Sequence, residues 1–340
     1  MTEEMRGEAG HGQDGSSTGP RMNRAIRAIS DVPYGPLIDA QMIGRATNFL
    51  SLVRSTLTLC LQSHRNDLVI TSQGARTVGG LIALSAYLAL TRQKKLVLVE
   101  FLPGRRPGLA ALAYRRLLPA VVARAQVMTQ WELVQLAELY GLRPEQMEHI
   151  PFYSVDDRLD TASYLGDGTR SGVMSSGRNS CDWPTLIAAA DGQDWDLQII
   201  CGDDEAVRIR PSASRSGVAV SGRVPRRDHD ESLARASLFI LSLTDSDKSA
   251  GHIRLMSAAT FGTPVIATAS PGIRGYEHLA VAVTPVGDPL ALRAAVDTLL
   301  NDREELDRRS AEVSARARAR PYSRYAEDLR AFFERGASHR

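Results

Sequence analysis

The residues best placed to do chemistry lie in the stretch Thr244-Asp-Ser-Asp-Lys-Ser-Ala-Gly-His-Ile-Arg-Leu-Met-Ser-Ala-Ala-Thr-Phe-Gly-Thr-Pro-Val-Ile-Ala-Thr268. A strand ends at Ser242, a polar loop follows, and a helix opens near Ser249 or Ala250. The first amides of a helix have no intrahelical partner and its dipole end is positive, so this end suits a phosphate. Gly251 permits close backbone approach, Lys248 adds charge, and His252 on the first turn could hydrogen-bond a phosphate or a sugar. Without a ligand, the same residues read as an ordinary helix start capped by Asp247 or Ser249, with His252 a solvated surface histidine. Arg178, in a loop after a short apolar strand, offers a planar guanidinium that pairs well with phosphate oxygens, or is a plain surface arginine. Ser72, Gln73 and Gly74 follow another strand and could line a cleft for a second substrate, or form a simple turn. Glu100, also at a strand end, is a candidate carboxylate or a half-buried partner of Arg105. Asp245-Ser-Asp247 has the spelling of a metal motif, but its place between strand and helix suits a loop and cap.

These residues are positioned by strands that alternate with helices. A helix is expected over 39–64, where Ile43, Ala46, Leu50, Val53, Leu57 and Cys60 recur at helical spacing. Strands are expected at 67–71, 95–101, 125–129 and 149–153, with helices through Leu90, from about Leu109 to Arg124, and from Trp131 to Tyr140, where Gly141 is a stop signal. Residues 154–171 lose periodicity and fill with Asp, Ser, Gly and Thr. The second half repeats the pattern: strands at 172–176, 197–201, 218–220, 237–242, 264–268 and 281–284, and helices at 183–190, 228–235, 250–261, 288–300, 302–318 and 322–335. Short continuous apolar strands separated by helices imply parallel sheets covered on both faces. The expectation is an α/β chain: a disordered tail over 1–20, a Rossmann-like domain over 21–153, a linker over 154–171, a second Rossmann-like domain over 172–320, and a C-terminal helix over 321–340 that packs back on the first domain. Ligands of such sheets bind beyond the carboxyl ends of the strands, here in the cleft between two doubly wound domains.

With those residues in hand, the chain resembles the retaining family 4 glycosyltransferases of the GT-B fold. Ala258, Gly262, Pro264, Val265 and Pro271-Gly272 fall in register with that family's signature, while Ser249 and Ser257 stand where it has two glutamates. Ser175-Ser-Gly-Arg178 followed by Asn-Ser-Cys181 resembles its strand, Gly-Arg and loop. Met128-Thr-Gln-Trp-Glu132, Tyr140-Gly141, and Ile150-Pro151 through Val155-Asp156 are similar to the end of its first domain. The resemblance implies a nucleoside diphosphate sugar as donor, with Arg178 clamping the diphosphate, Ser249 near the sugar or phosphate and Ser257 at the ribose. It implies a transfer that needs no metal and no other cofactor. A serine hydroxyl cannot accept in the bidentate way of a carboxylate, and Cys181 stands about where the family has a second basic residue. The family's opening strand has no evident counterpart, so the first domain reads as shortened.

Composition bounds the alternatives. The 340-residue chain is 43% hydrophobic with a net charge of +2, which is globular and gives no global pull toward nucleic acid. Lys occurs only at 94, 95 and 248, the mark of a GC-rich bacterial genome. Cys60, Cys181 and Cys201 have no metal-ligand spacing and read as reduced thiols in packing roles. No secretory signal is visible, and the longest apolar run, Val78 to Leu90, is shorter than the roughly 20 residues a spanning helix needs. A cytoplasmic protein is expected. Arg105, Arg106, Arg115 and Arg116, interleaved with Leu and Ala, could touch an anionic membrane at its inner face, or form a solvated helix face. No dinucleotide fingerprint, P-loop, zinc motif or nucleophile elbow is present. The leading reading is a glycosyltransferase. Its alternatives are a catalytically degenerate GT-B-like partner or scaffold subunit and, less well supported, an epimerase or phosphorylase of the same fold.

Overall fold

The computed structural model describes residues 26–44, 48–72, 76–106, 108–165, 170–245 and 249–338. The expected tail over 1–20, Gln73, Gly74, Asp247 and Lys248 lie outside the described residues. The first domain runs β1 (Ala28–Ser30), β2 (Gln41–Met42), α1 (Phe49–Ser63), β3 (Leu68–Ser72), α2 (Val78–Leu90), β4 (Leu96–Val99), α3 (Gly108–Val121), β5 (Val122–Val127), α4 (Gln130–Tyr140) and β6 (Met147–His149). After the short helix α5 (Ala162–Leu165) come β7 (Ser171–Ser176), α6 (Trp183–Ala190), β8 (Leu197–Ile200), α7 (Asp203–Arg215), β9 (Ala219–Ser221), α8 (Arg226–Arg235), β10 (Ala236–Leu241), α9 (His252–Phe261), β11 (Val265–Thr268), β12 (Ala282–Thr284), α10 (Pro289–Asn301), α11 (Arg303–Arg318) and α12 (Tyr322–Ala337).

Each domain holds a six-stranded parallel sheet, ordered β2-β1-β3-β4-β5-β6 and β12-β11-β10-β7-β8-β9. The second order reverses between β7 and β10, and at such a point the loops leave the strand ends in opposite directions and open a crevice. Local chemistry sets several boundaries. Thr129 and Glu132 form a capping box at α4, and Gly141 ends that helix at φ 69°. Asp182 caps α6, and Asp288 caps α10 with two backbone amides.

Several elements differ from expectation, among them β2 inside the expected first helix, α5 inside the expected linker, and β5, which begins at Val122 directly after α3. An opening strand exists after all: β1 lies between β2 and β3 in the sheet, but it is three residues long and carries no alternation to read. The helix expected over 39–64 starts only at Phe49, where Asn48 and Ser51 close a capping box. α7 was not anticipated, because Pro211 interrupts it and it buries only Ala206, Ile209 and Ala213. The fourth strand ends at His149, and Ile150 and Phe152 instead enter the core between the domains.

That core joins the domains. It takes Leu68, Val97 and Phe152 from the first, Phe239, Leu255 and Tyr276 from the second, and Tyr325, Leu329, Phe332 and Phe333 from α12. α12 crosses back to the first sheet, where Gln126 Nε2 donates to the Tyr325 hydroxyl (2.9 Å) and Arg335 pairs with Glu148. The two crossings run side by side: Ser154 N donates to Arg320 O (2.7 Å), and Tyr322 N donates to Val155 O (2.9 Å). Among the described residues, no helix is long and apolar enough to cross a membrane.

The first domain also buries an ion pair. Arg76 Nη2 lies 2.6 Å from Asp31 Oδ2, and its remaining donors reach Thr71, Thr56 and Ser55. Burial raises the Asp31 pKa, and Arg76 opposes that shift. Replacing Arg76 by Met strands the carboxylate, and urea unfolding is expected to show a loss of about 3–5 kcal/mol.

Candidate functional site

The crevice predicted by the strand order is occupied by an open cavity of about 690 Å³. Its walls come from the β7 end (Gly177, Arg178), from the start of α9 (Ser249 to Arg254), and from the first domain through Leu102, Gly104 and Glu132. A second cavity of about 480 Å³ adjoins it, lined by Ile200, Cys201, Arg223, Val224, His229 and Ser257 among others. Gly177, Arg178, Ile253 and Arg254 line both.

The helix start is built by glycine. Gly251 is the N-cap of α9 at φ 92°, with no side-chain cap among the described residues, so Ser249 does not cap it as the sequence suggested. A Cβ there would lie 2.6 Å from Leu243 Cδ1. The first intrahelical bond runs from Leu255 N to Gly251 O (3.0 Å), so the amides of His252, Ile253 and Arg254 precede it and face no intrahelical acceptor. The helix ends in a Schellman motif, in which Gly262 N donates to Ala259 O and Thr263 N to Ala258 O. Gly262, Pro264 and Val265 thus stop one helix and start the next strand, and Ala258 is fully buried. Ala258, Gly262, Pro264 and Val265 thus shape the scaffold, and none of them lines either cavity.

Two guanidinium groups face the shared part of the cavities. Arg178 is exposed and makes no ion pair among the described residues. Arg254, one turn into α9, has its pKa lowered by burial and then by the Arg178 charge, with Asp230 acting in the opposite sense. Arg254 Nη1 approaches His229 Nε2 at 3.3 Å, and Ser176 Oγ reaches the same nitrogen at 2.9 Å. His229 Nδ1 faces Asp230 Oδ1 at 3.1 Å. Asp230 therefore holds the proton on Nδ1 and leaves Nε2 to accept from Arg254 and Ser176. The Ser–His–Asp spelling is a scaffold that aims Arg254. Sequence reasoning passed over Arg254, His229 and Asp230; the available signal was that Arg254 is the third residue of the helix that Gly251 opens.

Ser249 is placed differently from expectation. Its hydroxyl lies 3.0 Å from Thr129 Oγ1, and both its hydroxyl and its amide bond the Glu132 carboxylate. Glu132 also accepts from Met128 N (2.9 Å) and Thr129 N (3.2 Å), yet burial raises its pKa. Glu132, a carboxylate from the first domain, therefore occupies Ser249, and the free donors of the helix begin beyond it. Ser257 lines the second cavity, with its hydroxyl bonded back to Ile253 O (2.9 Å).

His252 is not a solvated residue. It is 2% exposed, stacked on Tyr276 with centroids 5.5 Å apart and edge-on to Phe152. Neither ring nitrogen has a partner among the described residues, and burial lowers its pKa to about 4. Ser72 ends β3, is buried, and lines neither cavity. Glu100 sits at φ 48° and accepts from the Tyr34 hydroxyl (2.6 Å) rather than pairing with Arg105. The Cys181 thiol lines the first cavity and burial pushes it up to about 12; Cys60 and Cys201 are buried, and all three are free. Among the described residues, no three His, Cys, Asp or Glu side chains gather as a metal set.

The fold belongs to a defined class. The chain superposes on a glycosyltransferase from Rickettsia africae with a TM-score of 0.68 at 12% identity, covering 92% of this chain and 90% of that one. It superposes on Anabaena HepE in complex with UDP-glucose with a TM-score of 0.67 at 15% identity, covering 89% and 98%. A third similar structure is sucrose-phosphate synthase from Thermosynechococcus elongatus, with a TM-score of 0.64 at 16% identity, covering 84% and 78%. The chain therefore has the GT-B fold of two Rossmann-like domains, as the sequence led us to expect. The family described as glycosyl transferases group 1 matches residues 182–302, the part that carries α6 through α10. A search of the curated proteins finds no match to the sequence.

The buried histidine makes stability depend on pH. Its folded pKa of about 4 lies below the unfolded value, so the unfolded state binds more protons between the two, and stability falls as pH drops through that window. His252→Phe keeps the ring and removes this term. Relative to the parent, the variant is expected to gain about 2 kcal/mol on going from pH 7 to pH 5, read from thermal or urea melts at both values.

Proposed function

We propose that the protein is a glycosyltransferase that takes a sugar from a nucleoside diphosphate sugar. The observation that carries this is the convergence of Arg178, Arg254 and the uncapped start of α9 on the stretch shared by the two cavities. A bound diphosphate there meets two guanidinium groups and free helix amides, each a charge-assisted or dipolar donor. The second cavity, walled by Ile200 and Val224, takes the nucleoside, with Ser257 toward its ribose. The first cavity takes the sugar, against Glu132, Leu102 and Gly104 of the opposite domain. In the transfer the bond from the anomeric carbon to the diphosphate breaks and negative charge grows on the departing oxygen. Arg178, Arg254 and the α9 amides are already oriented to stabilise it, so no metal is required. Retention of configuration follows from the resemblance at Ala258, Gly262, Pro264 and Val265. His252, with no partner for either ring nitrogen among the described residues, is a donor contact in this reading. Lys248, next to the same loop in sequence, adds a further cation.

One observation favours a second reading, a degenerate GT-B-like partner subunit. Ser249 is engaged by Glu132 and the Ser257 hydroxyl is bonded to its own helix, so neither signature position presents a carboxylate to a donor.

A thermal-shift panel of UDP, GDP, ADP and dTDP tests donor binding, and a diphosphate-release assay with the matching nucleotide sugar separates the readings. UDP-glucose is the first donor to try, given the HepE complex. One nucleotide is expected to raise the melting temperature by several degrees. Arg178→Ala and Arg254→Ala should each weaken it by about 10–100-fold, the worth of one charge-assisted bond. No shift with any nucleotide sinks the donor site; binding without turnover of any sugar moves the assignment to the partner subunit.

A further inference from the structure

The helices that cover one face of the first sheet carry a second apolar surface, turned away from the core. α1 buries Leu59 and Cys60, yet exposes Phe49 (76%), Leu50 (78%), Val53, Leu57 and Leu61 (69%). α2 packs between α1 and α3. It contains no charged residue, and its outward positions are Gly79, Ala83, Ala86 and Leu90 (84%). α3 adds Leu109 (84%) and Leu112. Of the fourteen large apolar side chains exposed among the described residues, eight lie on these three helices. That is a concentration that marks a binding surface rather than scattered surface leucines.

The charge on this layer has one sign. α1, α2 and α3 contain Arg54, Arg115 and Arg116 and no Asp or Glu. All three arginines are exposed, as is Arg105 just before α3. The ion pairs of the surrounding domain use Arg27, Arg76, Arg124 and Arg143 instead. Residues 41–124 hold twelve Lys and Arg against two acidic residues, Asp67 and Glu100, a balance of +10; with the whole chain at +2, the remainder carries −8.

We propose that this face docks on an anionic phospholipid bilayer. The occupant must be apolar enough to cover the leucines and negative enough to neutralise the arginines. A bilayer rich in acidic headgroups supplies both, with side chains buried to the acyl boundary and guanidinium groups at the phosphates. A second copy of the chain fits less well, because a two-fold contact sets the face against itself and brings arginine to arginine with no carboxylate on either side. The apolar face runs along the helices from Phe49, near the carboxyl ends of the strands, to Leu61 and Leu90 at the far ends of α1 and α2. The inference is independent of the identity of the donor.

Flotation of the full chain with vesicles tests it. Binding is expected to phosphatidylglycerol–phosphatidylcholine vesicles, to fall at high salt, and to be slight on phosphatidylcholine alone. Arg115→Glu with Arg116→Glu should weaken it by about thirtyfold or more. Leu57→Glu with Leu61→Glu should abolish it. Both variants should keep the circular dichroism of the parent and any nucleotide-induced thermal shift. No binding to the anionic vesicles at low salt, or binding that both variants retain, overturns the proposal. So does a dimer seen by light scattering that Leu57→Glu with Leu61→Glu dissolves while the parent ignores vesicles. If the leucine variant fails to fold, the arginine variant alone decides.

Discussion

One hydroxyl holds the two domains in register. Tyr276, in the loop after β11, accepts a bond from Phe152 N at 3.0 Å and donates one to Met128 O at 2.7 Å. Both partners are backbone groups of the first domain, so the single Tyr276 oxygen uses its donor and its acceptor to tie one sheet to the other. The bonds lie beside an aromatic cluster of Phe152, Tyr153, Tyr325 and His252, and Tyr276 itself is buried, so an unmade hydrogen bond would leave a buried polar group without compensation. Burial raises the Tyr276 pKa to about 12, which keeps the hydroxyl protonated and its donor role intact through the physiological range.

The site inherits its shape from that joint. β7 and β10 direct Gly177, Arg178 and the α9 loop toward the first domain, and Tyr276 fixes how far away that domain stands. At this distance Glu132 reaches Ser249 and Thr129 reaches the same hydroxyl. A carboxylate therefore does lie beside the helix start, although neither Ser249 nor Ser257 of the second domain supplies one. It arrives from α4, in the other domain, as the third residue of a capping box. The same carboxylate that organises the first turn of α4 is a wall of the cleft, so local helix chemistry and interdomain contact are coupled in one side chain.

This division explains what could be read from the chain and what could not. Features encoded within a few residues were legible: the alternation of apolar strands and helices, Gly141 as a helix stop, and the turn that brings Arg178 to a strand end. Features that rest on distant partners were not. Ser249 and Thr129 are 120 residues apart, and nothing near either one announces the other. His252 occupies the first turn of a polar-looking helix start, and only Tyr276 and Phe152, from other elements, make that position a core position. β1 was missed for a different reason, since three buried residues give no period. α7 was missed because its small apolar stripe is outweighed by charge and by Pro211.

The electrostatics of the cleft decide what it can hold. Burial moves the two titratable groups nearest the helix start in opposite directions, Glu132 upward and His252 downward, and both shifts favour the neutral form. Asp230 is committed to His229 and to Arg226. Arg178 and Arg254 face the junction together, and burial first, then the Arg178 charge, lowers the Arg254 pKa, with Asp230 opposing. Like charges on the two guanidinium groups repel, and an anion between them offsets that repulsion. A neutral sugar or peptide in the same place would leave that repulsion standing. In the donor reading proposed above, it is the diphosphate that brings this negative charge to the junction of the two cavities.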